Sequence, residues 1–136
     1  MRQGDTLSPL LFCIAKDVLS KGIVKLVQDG KVGLISGTEY QSIQSHTLYA
    51  DNVMFLCKGK ISCIEELKKL FTDYANCSSQ LMNPSKSLIF SSSILEPRFQ
   101  AIVNMLGFYS GSLSLTYVGV PIFKAKAKKY LPFCGL

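Results

Sequence analysis

Four adjacent residues, Tyr49-Ala50-Asp51-Asn52, form the pattern in this sequence best suited to chemistry. They lie within Thr47-Leu48-Tyr49-Ala50-Asp51-Asn52-Val53-Met54-Phe55-Leu56, where an acidic residue is flanked on both sides by strand formers. The pattern predicts a tight hairpin that holds a carboxylate at its tip. A carboxylate fixed on a rigid two-stranded tip suits Mg²⁺, which binds one or two protein carboxylates together with substrate phosphates. The same residues also satisfy an ordinary surface turn, because Asp and Asn both favour turns.

A second segment opens the chain: Arg2-Gln3-Gly4-Asp5-Thr6-Leu7-Ser8-Pro9-Leu10-Leu11-Phe12. Together the two segments resemble neighbouring motifs of the reverse transcriptases, in which Arg-Gln-Gly-Asp-Pro-Leu-Ser-Pro precedes Tyr-Ala-Asp-Asp. The sequence is similar above all to the non-LTR, LINE-type retrotransposon enzymes abundant in plants. Asn83-Pro84-Ser85-Lys86-Ser87 and Tyr117-Val118-Gly119-Val120-Pro121-Ile122 match later segments in the same order, so the resemblance runs from Arg2 to near Lys124. The chain departs from the pattern at Asn52, where the family carries a second Asp, and at Thr6, where it carries Pro. The resemblance also implies a catalytic Asp on an upstream strand, fingers and a thumb; the upstream strand, the fingers and most of the thumb are expected to be absent here.

The resemblance implies an α+β fold, a partial right-hand polymerase palm. In such a palm a split βαβ, ferredoxin-like sheet carries helices on one face, here ending in a β-hairpin. The palm would span residues 1–123, and residues 124–136 would form a basic tail leading toward the thumb. The implied activity is that of an RNA-directed DNA polymerase, a nucleotidyltransferase that joins a primer 3′-hydroxyl to the α-phosphate of a nucleotide. Its cofactor would be Mg²⁺, and its partners an RNA template and a DNA primer. By correspondence Asp51 is the metal-binding carboxylate and Asn52 its degenerate neighbour, able to offer a carbonyl oxygen but no charge. Lys86 would donate a proton to the leaving pyrophosphate; a solvated lysine beside a strand is the other reading. Arg2, Gln3 and Gly4 would lie against the nascent base pair, where glycine allows close approach, or would form an ordinary turn. Tyr49 would pack beside the nucleotide or in the core. Tyr117 and Gly119 would belong to a hairpin supporting the primer end, or to a core hairpin. With Asn52 in place and the upstream carboxylate missing, the chain is expected to be inactive. A non-catalytic nucleic-acid-binding remnant and a transposon-derived chain without selected function are the alternatives.

Several elements must position these residues. Ser8 and Pro9 read as a helix start, the first as cap and the second at the first helical position, with Leu7 and Phe12 at staple spacing. Leu7, Leu10, Leu11, Ile14 and Val18 follow a helical repeat that Phe12, Leu19 and Ile23 widen. Much of this helix is therefore expected to be buried, and also to be too broadly apolar for this chain alone to cover. The three glycines between Gly30 and Tyr40, with Val32, Leu34 and Ile35 between them, suggest a short hairpin arm. Ser62-Cys63-Ile64-Glu65 reads as a capping box. It would open a helix with Ile64, Leu67, Phe71 and Tyr74 on one face, extended by Leu70 and Ala75. Residues 86–91 resemble a strand. Pro97 and Gly107 bracket a third helix that turns Phe99, Ile102, Val103 and Leu106 inward. Residues 113–123 read as a final hairpin with Gly119 near its bend. The missing family strand is expected to leave neighbouring strands with unpaired edges.

Composition narrows the remaining possibilities. No apolar run reaches the ~20 residues that cross a bilayer, and the N-terminus has no signal-peptide pattern. The five cysteines contain no Cys-x-x-Cys pair and their number is odd, which argues against a disulfide framework or a zinc site. These thiols suit a reducing intracellular compartment. The single histidine, His46, has no partner at metal-ligand spacing and reads as a strand residue beside the hairpin. A net charge of +6 permits contact with a phosphate backbone. The densest basic stretch holds Lys124, Lys126, Lys128 and Lys129, beside Tyr130; a solvated tail is its other reading.

Overall fold

The computed structural model describes residues 7–35, 44–91, 94–112, 114–117, 120–123 and 131–134, the last three segments by backbone alone. The first helix, α1, spans Leu7–Gln28. Ser8 and Pro9 therefore lie in its first turn rather than ahead of it. Pro9 costs nothing there, because first-turn N–H groups have no intrahelical acceptor. The helix ends on Gly30, whose φ of 69° is left-handed. The Gly30 N–H donates to Val27 O at 3.0 Å and the Lys31 N–H to Leu26 O at 3.0 Å, the paired bonds of a Schellman close.

The buried face of α1 is not the one its leading repeat predicts. Leu7, Leu10, Leu11, Ile14 and Val18 are each more than half exposed, whereas Leu19 and Ile23 are buried. Ala15, Leu26 and Val27 pack around them against the core. The first half of the helix is apolar all round, so the second half decides. There the leading stripe runs on into Lys21 and Lys25, while the Leu19 face runs on into Ile23, Leu26 and Val27. The face that stays apolar over both halves wins the core. Incomplete burial of α1, the other part of the expectation, holds.

Residues 30–35 form no strand. Gly30 closes α1, and the Gly33 carbonyl accepts the Lys58 N–H at 2.8 Å. The rest of the expected arm, 36–40, lies outside the described residues. Strand β1 (His46–Tyr49) then pairs antiparallel with β2 (Asn52–Cys57), with Tyr49 opposite Asn52 and His46 opposite Phe55. Along β2 burial alternates: Val53, Phe55 and Cys57 are buried, while Met54 and Leu56 face the other side, the period of a half-covered sheet.

Helix α2 (Ile61–Ser78) begins one residue before the expected capping box. Its N-cap is Lys60, with no side-chain cap bond, and Ser62 falls inside the first turn. Local capping yields to packing here, because this start brings Cys63, Ile64, Leu67, Phe71 and Tyr74 onto one buried face. A short 3₁₀ turn, Pro84–Lys86, precedes β3 (Leu88–Ile89), so Lys86 stands on a turn and not in the expected strand. Helix α3 (Glu96–Leu106) carries Pro97 in its first turn and closes on Gly107 at φ 68°. It buries Ile102 and packs Phe99, Val103 and Leu106 against the core. Strand β4 (Tyr109–Ser110) follows and pairs parallel with β3. Strands β5 (Ser114–Tyr117) and β6 (Val120–Phe123) form a separate antiparallel hairpin.

The last strand, β7 (Leu131–Cys134), corrects two expectations. These residues are not part of a tail, and β2 is not left with an open edge. The five-stranded sheet runs β1-β2-β7-β3-β4, with β7 antiparallel to both of its neighbours. Strands β2 and β3 are thus parallel to each other, joined through α2, with one strand between them: a split βαβ unit. The β7–β3 ladder stops at Phe133, next to Pro132, a residue without the N–H a central ladder needs. All three helices bring buried side chains to one cluster with Val53, Phe55, Cys57 and Ile89. The architecture is mixed α+β. Among the described residues no helix is long and apolar enough to cross a membrane.

Candidate functional site

Tyr49 and Asn52 close the β1–β2 hairpin, and Ala50 and Asp51 make its two-residue turn. Ala50 has a φ of 49°, a left-handed conformation that costs an L-residue roughly 1–2 kcal/mol. Such a turn stays in place only when the strands on either side over-determine it. It does so here because Leu48 and Val53, directly opposite each other, both reach the core. The consequence is an exposed tip: Tyr49, Ala50, Asp51 and Asn52 are all open to solvent.

Helix α1 is pinned to this hairpin by a hydroxyl–imidazole bridge. Ser20 Oγ lies 2.8 Å from His46 Nε2, and Ser45 Oγ lies 2.8 Å from His46 Nδ1. Burial pushes the His46 imidazole below its ordinary range, which favours the neutral ring. One turn before Ser20, the Lys16 side chain is buried, with Nζ 5.3 Å from the centre of the Phe12 ring. Burial lowers the Lys16 pKa, and the Asp51 carboxylate opposes that shift. Lys16 lies one turn from Ser20, on the side of the helix that faces β1.

The His46 bridge predicts a pH dependence. The folded imidazole titrates below 6.5 and the unfolded one near it, so between those values the unfolded chain binds more protons. Stability is complete above pH 6.5, falls as pH drops through 6.5, and levels off below the folded value. Urea midpoints measured from pH 7.5 to 5 are expected to fall in the wild type and to flatten in His46→Gln. Equal slopes for the two chains would show that His46 carries no such load.

Strand register decides where Lys86 stands. Met54, Cys134 and Leu88 share one row across the sheet, and Phe55, Phe133 and Ile89 share the next. Strands β2 and β3 are parallel, and Lys86, at the end of the turn two residues before Leu88, stands at the end of the sheet where β2 begins with Asn52. Lys86 is exposed, on a turn fixed by Asn83, whose Oδ1 accepts the Ser85 N–H at 3.1 Å. Asp51, Asn52, Tyr49 and Lys86 are thus brought to one end of the sheet. Arg2, Gln3, Gly4 and Gly119 lie outside the described residues, and Tyr117, opposite Val120 in the separate hairpin, is described by backbone alone.

Among the described residues at the tip, the donor set does not fit a pair of divalent ions. Among the described residues no group of three or more His, Cys, Asp or Glu side chains is placed to hold a metal. Asp51 supplies one carboxylate and Asn52 only a neutral carbonyl oxygen. A thiol does not replace them: burial, and then Cys63, push the Cys57 thiol up to about 12, which makes it a core residue. Sequence reasoning missed Lys16. Its signal was present, a lysine four residues after Phe12 and three before Leu19 on the face that stays apolar along the helix. No protein-family model matches this chain, and no solved structure matches it.

Proposed function

We propose that this chain is a palm segment of a LINE-type reverse transcriptase that contacts nucleic acid through its basic charge and does not join nucleotides. One observation carries the reading: the residues of two separate motifs that resemble that family, Asp51 and Lys86, lie at one end of one sheet. The split βαβ unit formed by β2, α2 and β3 around β7 is compatible with it, and so is the exposure of the tip. In the parent chemistry a pair of Mg²⁺ ions stabilises the attacking and leaving oxygens of phosphoryl transfer. In this chain Asp51 brings one charge to that task and Asn52 brings none. Lys86 offers an ammonium at the same end of the sheet, suited to a phosphate as a point charge. The net charge of +6 favours contact with a nucleic-acid backbone over catalysis as the property that remains.

Primer extension tests the reading directly. On a primed RNA template with Mg²⁺ or Mn²⁺, the 136-residue chain is expected to incorporate no nucleotide, and Asn52→Asp is expected not to restore synthesis. Template-dependent incorporation that Asp51→Ala abolishes would overturn the inactive assignment. Binding to primer–template duplex is expected to be weak and salt-sensitive. Replacing Lys124, Lys126, Lys128 and Lys129, which lie outside the described residues, is expected to flatten the slope of log affinity against log salt, since each phosphate contact releases counterions. An unchanged slope would assign those lysines to solvent. Absence of binding at low salt would remove the nucleic-acid reading altogether.

A further inference from the structure

We infer that the face of the five-stranded sheet turned away from the helices is a stacking platform for single-stranded nucleic acid, with the Tyr109 and Tyr49 rings as the surfaces on which bases rest. Register places Thr47, Met54, Cys134, Leu88 and Tyr109 in one row across the sheet. The neighbouring positions hold Phe55 and Ile89, which are buried in the cluster that the helices share. Successive strand residues alternate between faces, so the first row lies on the face away from the helices. Tyr49, two residues beyond Thr47, shares that face. Exposure agrees: Tyr109 is 61% exposed, Tyr49 56% and Leu88 38%, while Met54 and Leu56 are half-buried.

Charge and ring chemistry select the occupant of this face. Strands β1, β2, β7, β3 and β4 contain no Asp or Glu; Asp51 stands beyond them, in the turn. Exposed lysines stand at both ends of the sheet, Lys86 ahead of β3 and Lys58 just past the end of β2. A single strand of nucleic acid uses both kinds of group, π-faces for its bases and ammonium groups for its phosphates. Tyrosine suits such a surface, because a flat ring with two side-chain torsions loses little entropy when a base settles on it. The backbone fixes both rings at their roots: the Tyr109 N–H donates to Ser87 O at 3.1 Å, and Tyr49 pairs with Asn52 at the close of the hairpin. In a duplex the bases are already stacked on one another, so only unpaired bases can lay their faces on the rings. A second copy of the chain is a poorer fit, since its strands bring no carboxylate to meet the lysines. The inference rests on the proposed contact with nucleic acid for the class of partner; the face and the preference for unpaired bases go beyond it.

Fluorescence anisotropy on the full chain tests it with three labelled probes: oligo(dT) of about twelve nucleotides, within the range of single-strand sites, an abasic backbone of the same length and charge, and a duplex. The wild type is expected to bind oligo(dT) at least about fivefold more tightly than the abasic strand, near the low end for one stacked base. Tyr109→Phe is expected to keep that ratio. Tyr109→Leu, which retains apolar bulk and removes the ring face, is expected to lose most of it at an unchanged urea midpoint, and Tyr49→Leu to lose part. Added salt is expected to weaken both single strands in parallel, since their phosphate contacts are shared. Equal affinity for the two strands, or a ratio that Tyr109→Leu leaves intact, would overturn the inference while leaving contact through basic charge in place. Base-dependent binding of oligo(dT), with no binding of duplex or abasic strand, would uphold the inference and remove the charge reading. A wild-type dimer in sedimentation that Tyr109→Leu dissociates would assign the face to self-association and overturn the inference. Absence of binding by all three probes at low salt would remove both readings.

Discussion

Removing residues 131–136 is expected to abolish cooperative folding. Those residues supply β7, which holds the sheet together at its centre: four positions pair with β2 and two with β3. Without them β1 and β2 form an isolated hairpin, and β3 and β4 form a two-position parallel pair. Neither arrangement is independently stable in water. At a net contribution of about 1 kcal/mol for each backbone hydrogen bond, the lost ladders approach the roughly 5–15 kcal/mol that stabilises a typical domain. The loss also opens an edge on β2, between Asn52 and Cys57, and an open edge recruits other chains. Size-exclusion chromatography and urea titration of residues 1–130 are expected to show association and a broad, shallow transition. A monomer with one sharp transition would show that β7 is dispensable and that the sheet closes in another way.

This strand is also where sequence reasoning stopped short, for a physical reason. Leu131–Cys134 follows a run of lysines and contains Pro132, so its local composition reads as tail. It becomes a strand because β2 and β3, joined through α2, leave a slot of one strand's width between them. A segment chosen by tertiary pairing carries little local signal. Where the signal is local, the sequence was legible. Asp51 and Asn52 between strand formers announced the hairpin, and the spacing of Ile64, Leu67, Phe71 and Tyr74 announced the buried face of α2. Pro97 and Gly107 bracketed α3. The first helix was legible as a helix but not in its facing, because its first half is apolar all round and periodicity cannot choose between two apolar faces. For the site, Asp51 could be read from the hairpin alone. The placement of Lys86 at the same end of the sheet could not, since it depends on the register of β2, β7 and β3. The burial of Lys16 depends on which face of α1 meets β1.

Phe55→Ala is expected to lower stability by roughly 3–5 kcal/mol, the range for truncating a buried aromatic ring. Phe55 is 1% exposed. It sits opposite His46 on one side and Phe133 on the other, and its core cluster draws side chains from α1, α2 and α3. No neighbour can collapse easily into the space, because β1 and β7 fix β2 from both edges, and a cavity that cannot relax keeps its full cost. Asp51→Ala, only four residues away, makes the contrast. Its side chain is exposed at the tip, so the change removes no packing. In urea melts Phe55→Ala is therefore expected to move the midpoint far down at an unchanged slope, while Asp51→Ala produces a much smaller shift. A Phe55→Ala loss below about 0.5 kcal/mol, within the range of ordinary surface substitutions, would mean that Phe55 is not packed in the core. The alternation that presents Asp51 at the tip would then have lost its anchor.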